Sequence, residues 1–196
     1  MATEQELFSD SRVDPTQEQE MSVDPPSLGQ QVRGWVRDIS LTALTAILIV
    51  IFVVQPVKVE GTSMEPRFEA QDRILVNKFV YYFSEVERGD IVVFWYPKDE
   101  TKSFIKRAIG LPGETVEMRS GVVYLNGQKL LEPYLAGEFD HDSYPLQVVP
   151  PEHYFVLGDH RNSSNDSRDW GFVPEQNIFG EAVFRYWPLS KLGLIR

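Results

Sequence analysis

Between Asp38 and Lys58 lie nineteen residues without a formal charge, Ile39 to Val57, reading ISLTALTAILIVIFVVQPV. The run is apolar on every side, so it does not form one face of an amphipathic helix. As a helix rising 1.5 Å per residue it would cover about 28 Å, close to the roughly 30 Å hydrocarbon core of a bilayer. Arg33, Trp35 and Arg37 precede it, an interfacial aromatic with a positive flank. A cleaved secretory signal fits poorly: the run begins late, is longer than an ordinary h-region, and no small-x-small site follows. The pattern predicts a transmembrane signal-anchor helix over residues 33–57, with its amino terminus in the cytoplasm.

Beyond Val57 the helical period disappears. Arg73–Phe83, Asp90–Tyr96 and Lys102–Ile109 are rich in β-branched and aromatic residues, and shorter runs follow at Glu114–Arg119, Gly121–Leu125, Glu152–Leu157 and Glu181–Tyr186. Turn signals separate them: Arg88-Gly89, Tyr96-Pro97, Leu111-Pro112-Gly113, Ser120-Gly121, Asn126-Gly127 and Pro150-Pro151. Many short strands with thirteen Gly and thirteen Pro predict a mainly β protein. The expectation is an antiparallel β domain over residues 58–196, barrel-like or sandwich-like, preceded by the single transmembrane helix.

Composition changes this picture at one end. Residues 1–30 hold seven acids and one base, and end near Pro25-Pro26. So little apolar surface cannot offset the entropy of ordering, so residues 1–32 read as a disordered acidic tail. The net charge of −10 argues against nucleic-acid binding. The absence of cysteine excludes disulfide scaffolds, thiolate metal sites and cysteine nucleophiles.

The candidate chemistry is narrow. His141, His153 and His160 form no metal-ligand spacing, and no phosphate-binding glycine loop or EF-hand pattern occurs, so no metal or cofactor is expected. A Ser-His-Asp triad built on His160 with Asp159 or Asp166 has nothing specific behind it. Ser63 lies between Gly61 and Pro66, a few residues past the predicted membrane exit. A serine needs a base, and a lysine serves only when neutral, which requires burial or a cationic neighbour. Lys106 shares a predicted strand face with Phe104 and Ala108, and Arg107 adjoins it. From the residues alone, an ordinary exposed strand lysine is the better account of Lys106. The polar stretch Gly158–Asp169 at a strand end also reads either as a site or as a solvated loop.

Three segments together resemble the motif boxes of type I signal peptidases (leader peptidases), in the same order and after the same kind of anchor: Gly61-Thr62-Ser63-Met64-Glu65-Pro66, Phe104-Ile105-Lys106-Arg107-Ala108-Ile109-Gly110-Leu111-Pro112-Gly113-Glu114, and Gly158-Asp159-His160-Arg161-Asn162-Ser163-Ser164-Asn165-Asp166-Ser167-Arg168. The match runs from about residue 39 to the carboxyl terminus, and the short stretch between Gly113 and Gly158 resembles compact bacterial or cyanobacterial types. The resemblance implies a membrane serine endopeptidase that cleaves signal peptides from exported preproteins, monomeric and without cofactor. It implies a single-pass protein whose catalytic domain lies on the non-cytoplasmic face of a plasma or thylakoid membrane. Ser63 matches the nucleophile and Lys106 the general base. Ser164 matches the hydroxyl that holds the lysine amine, Asp166 and Arg168 a bracing pair, and Asp159 a supporting residue. The Ser63 backbone N–H matches one oxyanion donor. Val57, Val59, Met64, Phe68, Phe104 and Ile105 fall where the family lines its shallow apolar substrate pockets. Two positions depart from the pattern: Gly61 stands where some members carry a second, hydroxyl oxyanion donor, and His160 where asparagine is common.

Overall fold

The computed structural model describes residues 27–135 and 141–195. The acidic stretch through residue 26 lies outside the described residues, but Leu28–Val32, expected to belong to the tail, is helical. The helix α1 runs Leu28–Val53, and at Val54 the chain changes to strand β1 (Val54–Lys58). The uncharged run is therefore divided. Its helical part, Ile39–Val53, is fifteen residues and about 22 Å long. Among the described residues no helix is long and apolar enough to cross a membrane. Helix to Val57 is not formed because Val54–Lys58 pairs antiparallel with Arg73–Asn77, and Pro56 removes a helical N–H. The apolar side chains of α1, including Ile39, Leu41, Leu44, Ile47 and Phe52, are exposed.

The β-rich unit is antiparallel throughout its described pairings. Its strands are β2 (Arg73–Asn77), β3 (Ile91–Tyr96), β4 (Asp99–Gly110), β5 (Thr115–Arg119), β6 (Val122–Leu125), β7 (Gln128–Lys129), β8 (Tyr144–Val148), β9 (His153–Leu157), β10 (Val173–Pro174), β11 (Ile178–Trp187) and β12 (Gly193–Leu194), with a short helix α2 (Ser167–Trp170) after β9. The larger sheet has the order β1-β2-β11-β3-β4-β9-β10, with β12 on β11, and a smaller sheet has the order β7-β6-β5-β8.

The strand β3 shows why the sequence folds this way. Ile91-Val92-Val93-Phe94 is a continuous apolar run because both faces of the strand are covered. Val92 and Phe94 join a core with Val156, Trp170 and Val173. Ile91 and Val93 join a second core with Val59, Met64, Phe68 and Val76. A third core ties the small sheet to β4 and β9 through Val116, Met118, Ile109 and Phe155. The run Arg73–Phe83 does not continue as one strand. It stops at Asn77, whose side chain accepts from Phe79 N–H at 2.9 Å and turns the chain into a 3-10 turn at Val80–Tyr82.

Candidate active site

The loop from β1 to β2 carries Ser63. Gly61 begins it at φ +85°, a conformation that favours glycine. Met64 and Phe68, expected in a substrate pocket, are instead fully buried in the core below the loop. They are the largest apolar groups of that segment, and their burial fixes the loop that presents Ser63. Arg185 lies over the Phe68 ring, 5.4 Å from its centroid, and closes that core from another side.

Lys106 comes from β4, opposite Val92. Its Nζ donates to Ser63 Oγ at 2.6 Å and to Ile105 O at 3.2 Å. The residue is only 4% exposed. Burial lowers its pKa from 10.5 to about 8, against the opposing pull of Asp166 and Asp159. The cationic contribution in the same direction is that of Arg168. Arg107, the cationic neighbour in the chain, lies on the other strand face, as alternation predicts, and its charge is matched by Asp159. Nε and Nη2 of Arg107 donate to the two Asp159 oxygens at 2.8 and 2.6 Å. Asp159 therefore braces Arg107.

The Gly158–Arg168 stretch is a packed element rather than a solvated loop. Asp166 caps α2, accepting from Arg168 N–H, and Asp169 returns a bond to the Asp166 N–H. The same Asp166 carboxylate accepts from Gly158 N–H at 3.0 Å and from Arg168 Nε at 2.8 Å. Ser167 Oγ, fully buried, accepts from Val156 N–H at 2.9 Å. His160 N–H donates to Ser63 O at 3.0 Å, and His160 Nδ1 lies 3.3 Å from Thr62 O. His160 thus holds the backbone of the nucleophile loop and takes no part in a triad with Ser63.

Gly158 sits at the tightest point. A Cβ there would lie 2.4 Å from Ser63 O and 2.2 Å from Ser164 Oγ. Ser164 Oγ is buried without a hydrogen-bond partner, so the expected bond to the Lys106 amine is not made. The amine is instead directed at Ser63 Oγ and the Ile105 carbonyl.

Ser63 and Lys106 open into a cleft of about 400 Å³ lined by Val57, Val59, Phe104 and Ile105, as expected, and also by Lys58, Glu60, Val93, Ser103 and Asn165. Sequence reasoning missed Val93 and Asn165. Val93 reaches the cleft because it is the register partner of Ile105 across β3 and β4. Asn165 had a signal, since it lies inside the polar stretch already singled out. Among the described residues no group of acidic or histidine side chains is arranged to hold a metal ion.

The family model described as signal peptidase, peptidase S26, matches residues 32–187. A signal peptidase I of Leptolyngbya laminosa is 40% identical over 94% of this chain and 94% of its own length. A probable signal peptidase I-1 of Synechocystis is 41% identical over 86% of this chain and 89% of its own. Signal peptidase I S of Bacillus subtilis is 37% identical over 83% of this chain and 93% of its own. With that family match over most of its length and relatives at 37–41% identity, the chain belongs to the signal peptidase family, peptidase S26, whose members are serine peptidases.

Proposed function

We propose that this protein is a membrane-anchored serine endopeptidase that removes signal peptides from exported preproteins, with Ser63 as nucleophile and Lys106 as general base. The observation that carries the reading is the 2.6 Å contact between Lys106 Nζ and Ser63 Oγ, made by a lysine whose burial lowers its pKa to about 8. A neutral amine in that position accepts the hydroxyl proton as Oγ attacks the scissile carbonyl. The protonated amine then returns the proton to the leaving amine, and water, activated by the same lysine, hydrolyses the acyl-enzyme. The Ser63 backbone N–H receives the developing oxyanion. Gly61 supplies no side-chain donor, so the second comes from the Thr62 hydroxyl, another backbone N–H or a water.

The substrate reading rests on the cleft and on chain continuity. Val57, Val59, Phe104 and Ile105 give it an apolar wall suited to small side chains at −1 and −3 of a cleavage site. Val57 and Lys58 belong to β1, which follows α1 without a linker. Ser63 follows the end of α1 by only ten residues of chain, so an anchor ending there keeps the nucleophile near the bilayer surface, where the cleavage site of a membrane-inserted signal peptide emerges. The exposed apolar side chains of α1 favour lipid as their solvent. The catalytic unit then lies on the non-cytoplasmic face.

The test is cleavage, by the full chain in lipid or detergent, of a preprotein whose signal peptide ends in Ala-x-Ala. Ser63→Ala and Lys106→Ala are each expected to abolish cleavage while the fold persists. Replacing the −1 alanine of the substrate by a bulky residue is expected to block it. Full activity in either variant would refute the dyad, and indifference to the −1 residue would refute the substrate reading.

A further inference from the structure

Behind the Ser63–Lys106 pair runs a buried polar chain that the reaction as described does not use. Arg107, next to Lys106 on β4, carries the Tyr134 ring over its guanidinium, 4.0 Å from Cζ to the ring centroid. The Tyr134 hydroxyl donates to Glu132 Oε1 at 2.7 Å. Glu132 accepts two bonds from Arg161, one from Nη1 at 3.1 Å and a shorter one from Nη2. Arg161 Nε donates in turn to Gly158 O at 3.1 Å. The side chains of Arg161 and Glu132 are 2% and 7% exposed.

This chain of contacts ends on the residue that touches the nucleophile. Gly158 is so close to Ser63 that a Cβ on it would lie 2.4 Å from the Ser63 carbonyl. Its N–H is held by Asp166 and its carbonyl by Arg161, so two charged side chains set the peptide on both sides. Asp159, the next residue, fixes Arg107. A buried guanidinium is tolerated only when paired, and Arg161 is paired by Glu132. Glu132 and Tyr134 follow β7 and belong to none of the three motif segments.

We infer that Glu132 is a positioning residue for the Ser63–Lys106 pair, acting through Arg161 on the Gly158 carbonyl and through Tyr134 on the Arg107–Asp159 pair. The inference rests on the proposed dyad. Without the Glu132 carboxylate, Arg161 seeks water, and the 158–161 turn that packs against Ser63 O relaxes with it. The charged groups facing Lys106 are Asp166, Asp159 and Arg168, with Lys58 and Glu60 on the walls of the same cleft. Burial is the main force keeping the amine below 10.5, so a loosened loop admits water and returns it upward.

The experiment uses the full chain in vesicles, with a preprotein substrate and pH profiles of kcat and kcat/KM. Glu132→Gln keeps the shape and removes the charge. Glu132→Asp keeps the charge and withdraws it by one methylene, and it decides the matter if the glutamine variant does not fold. The expected result is a fall in kcat of about tenfold with KM within about twofold. The acid limb of kcat/KM should move up by about half a pH unit. Both readings are taken below the melting temperature of the variant, where a purely structural role would leave the midpoint of the folded enzyme unmoved. A parental kcat and midpoint in the deciding variant would overturn the inference. A parent enzyme that still cleaves after Ser63→Ala would overturn the dyad itself, and the two failures are thereby distinguished.

Discussion

Gly158→Ala is the smallest change that reaches the proposed chemistry without touching a reacting group. A Cβ at 158 would stand 2.4 Å from Ser63 O and 2.2 Å from Ser164 Oγ. Real Cβ contacts essentially never fall below 3.0 Å, so the carbonyl must retreat by about 0.6 Å and the hydroxyl by about 0.8 Å, or the 158–160 turn must move instead. Rotation of the Ser164 hydroxyl would not suffice, because Ser164 Cβ would itself stand 2.6 Å away; the Ser63 carbonyl is backbone, and it also accepts from His160 N–H at 3.0 Å. The displaced atom belongs to the nucleophile itself, while Lys106 is held separately on β4. The Ser63–Lys106 contact, now 2.6 Å, lengthens or loses alignment. A misplacement approaching 1 Å costs roughly 100-fold in rate, so a fall in kcat of about 10- to 100-fold is expected. Overpacking at a buried site costs about 1–3 kcal/mol, or a drop in Tm of several degrees for a domain of this size. Cleavage kinetics on a preprotein, with Tm measured alongside, read both numbers. Parental kcat in Gly158→Ala with an unchanged Tm would refute the claim that this close approach sets the nucleophile.

Other perturbations follow from the same geometry. The base works only when neutral, so kcat/KM should rise with pH through a midpoint near 8, and a profile flat from about pH 6 to 10 would count against Lys106. Lys106→Met should be inactive yet more stable at pH 7, by up to about 3 kcal/mol in denaturant titration, because a buried ammonium is costly there. The sign follows from the depressed pKa: between about 8 and 10.5 the folded parent binds fewer protons than the unfolded chain, so its stability rises with pH across that window and the advantage of methionine shrinks. Asp166→Asn removes a buried carboxylate that accepts from Gly158 and Arg168, and should cost about 3 kcal/mol or more in stability. In whatever remains folded, the acid limb should move to lower pH, since Asp166 raises the Lys106 pKa. Tyr82 and Phe83 are 79% and 84% exposed, so Tyr82→Ser with Phe83→Ser should leave Tm nearly unchanged. Exposed aromatic rings suit a membrane interface, so the double variant should weaken sedimentation of the protein with lipid vesicles; unchanged sedimentation would refute an interfacial role for them.

Some of this was legible before any coordinate. The β-rich character came from short β-branched runs and from Gly and Pro turns, because strand and turn preferences are local. Ser63 and Lys106 came from three short segments that resemble the motif boxes of one family, and in the structure Lys106 Nζ stands 2.6 Å from Ser63 Oγ. The nineteen uncharged residues indicated an apolar element but not where its helix would end. That end was decided by β2, since Val54–Lys58 found strand partners at Arg73–Asn77 that lie far away in the sequence.

Register and burial had to come from tertiary structure. Val57 and Ile105 line the cleft while Met64 and Phe68 lie under it, although all four read alike as apolar residues near a motif. The difference is which face of each strand or turn meets the core, and a one-residue shift reverses it. The Lys106 pKa has the same origin: the sequence supplies an amine, and only packing supplies the desolvation that lowers it to about 8. Strand alternation already puts Arg107 on the face opposite Lys106, but only the tertiary structure supplies its partner, Asp159, fifty-two positions away. The sequence by itself determined which chemistry this chain carries, because reactivity resides in residue types. The tertiary structure decided which of those groups are dry, paired and within reach, because burial and distance are properties of segments brought together from opposite ends of the chain.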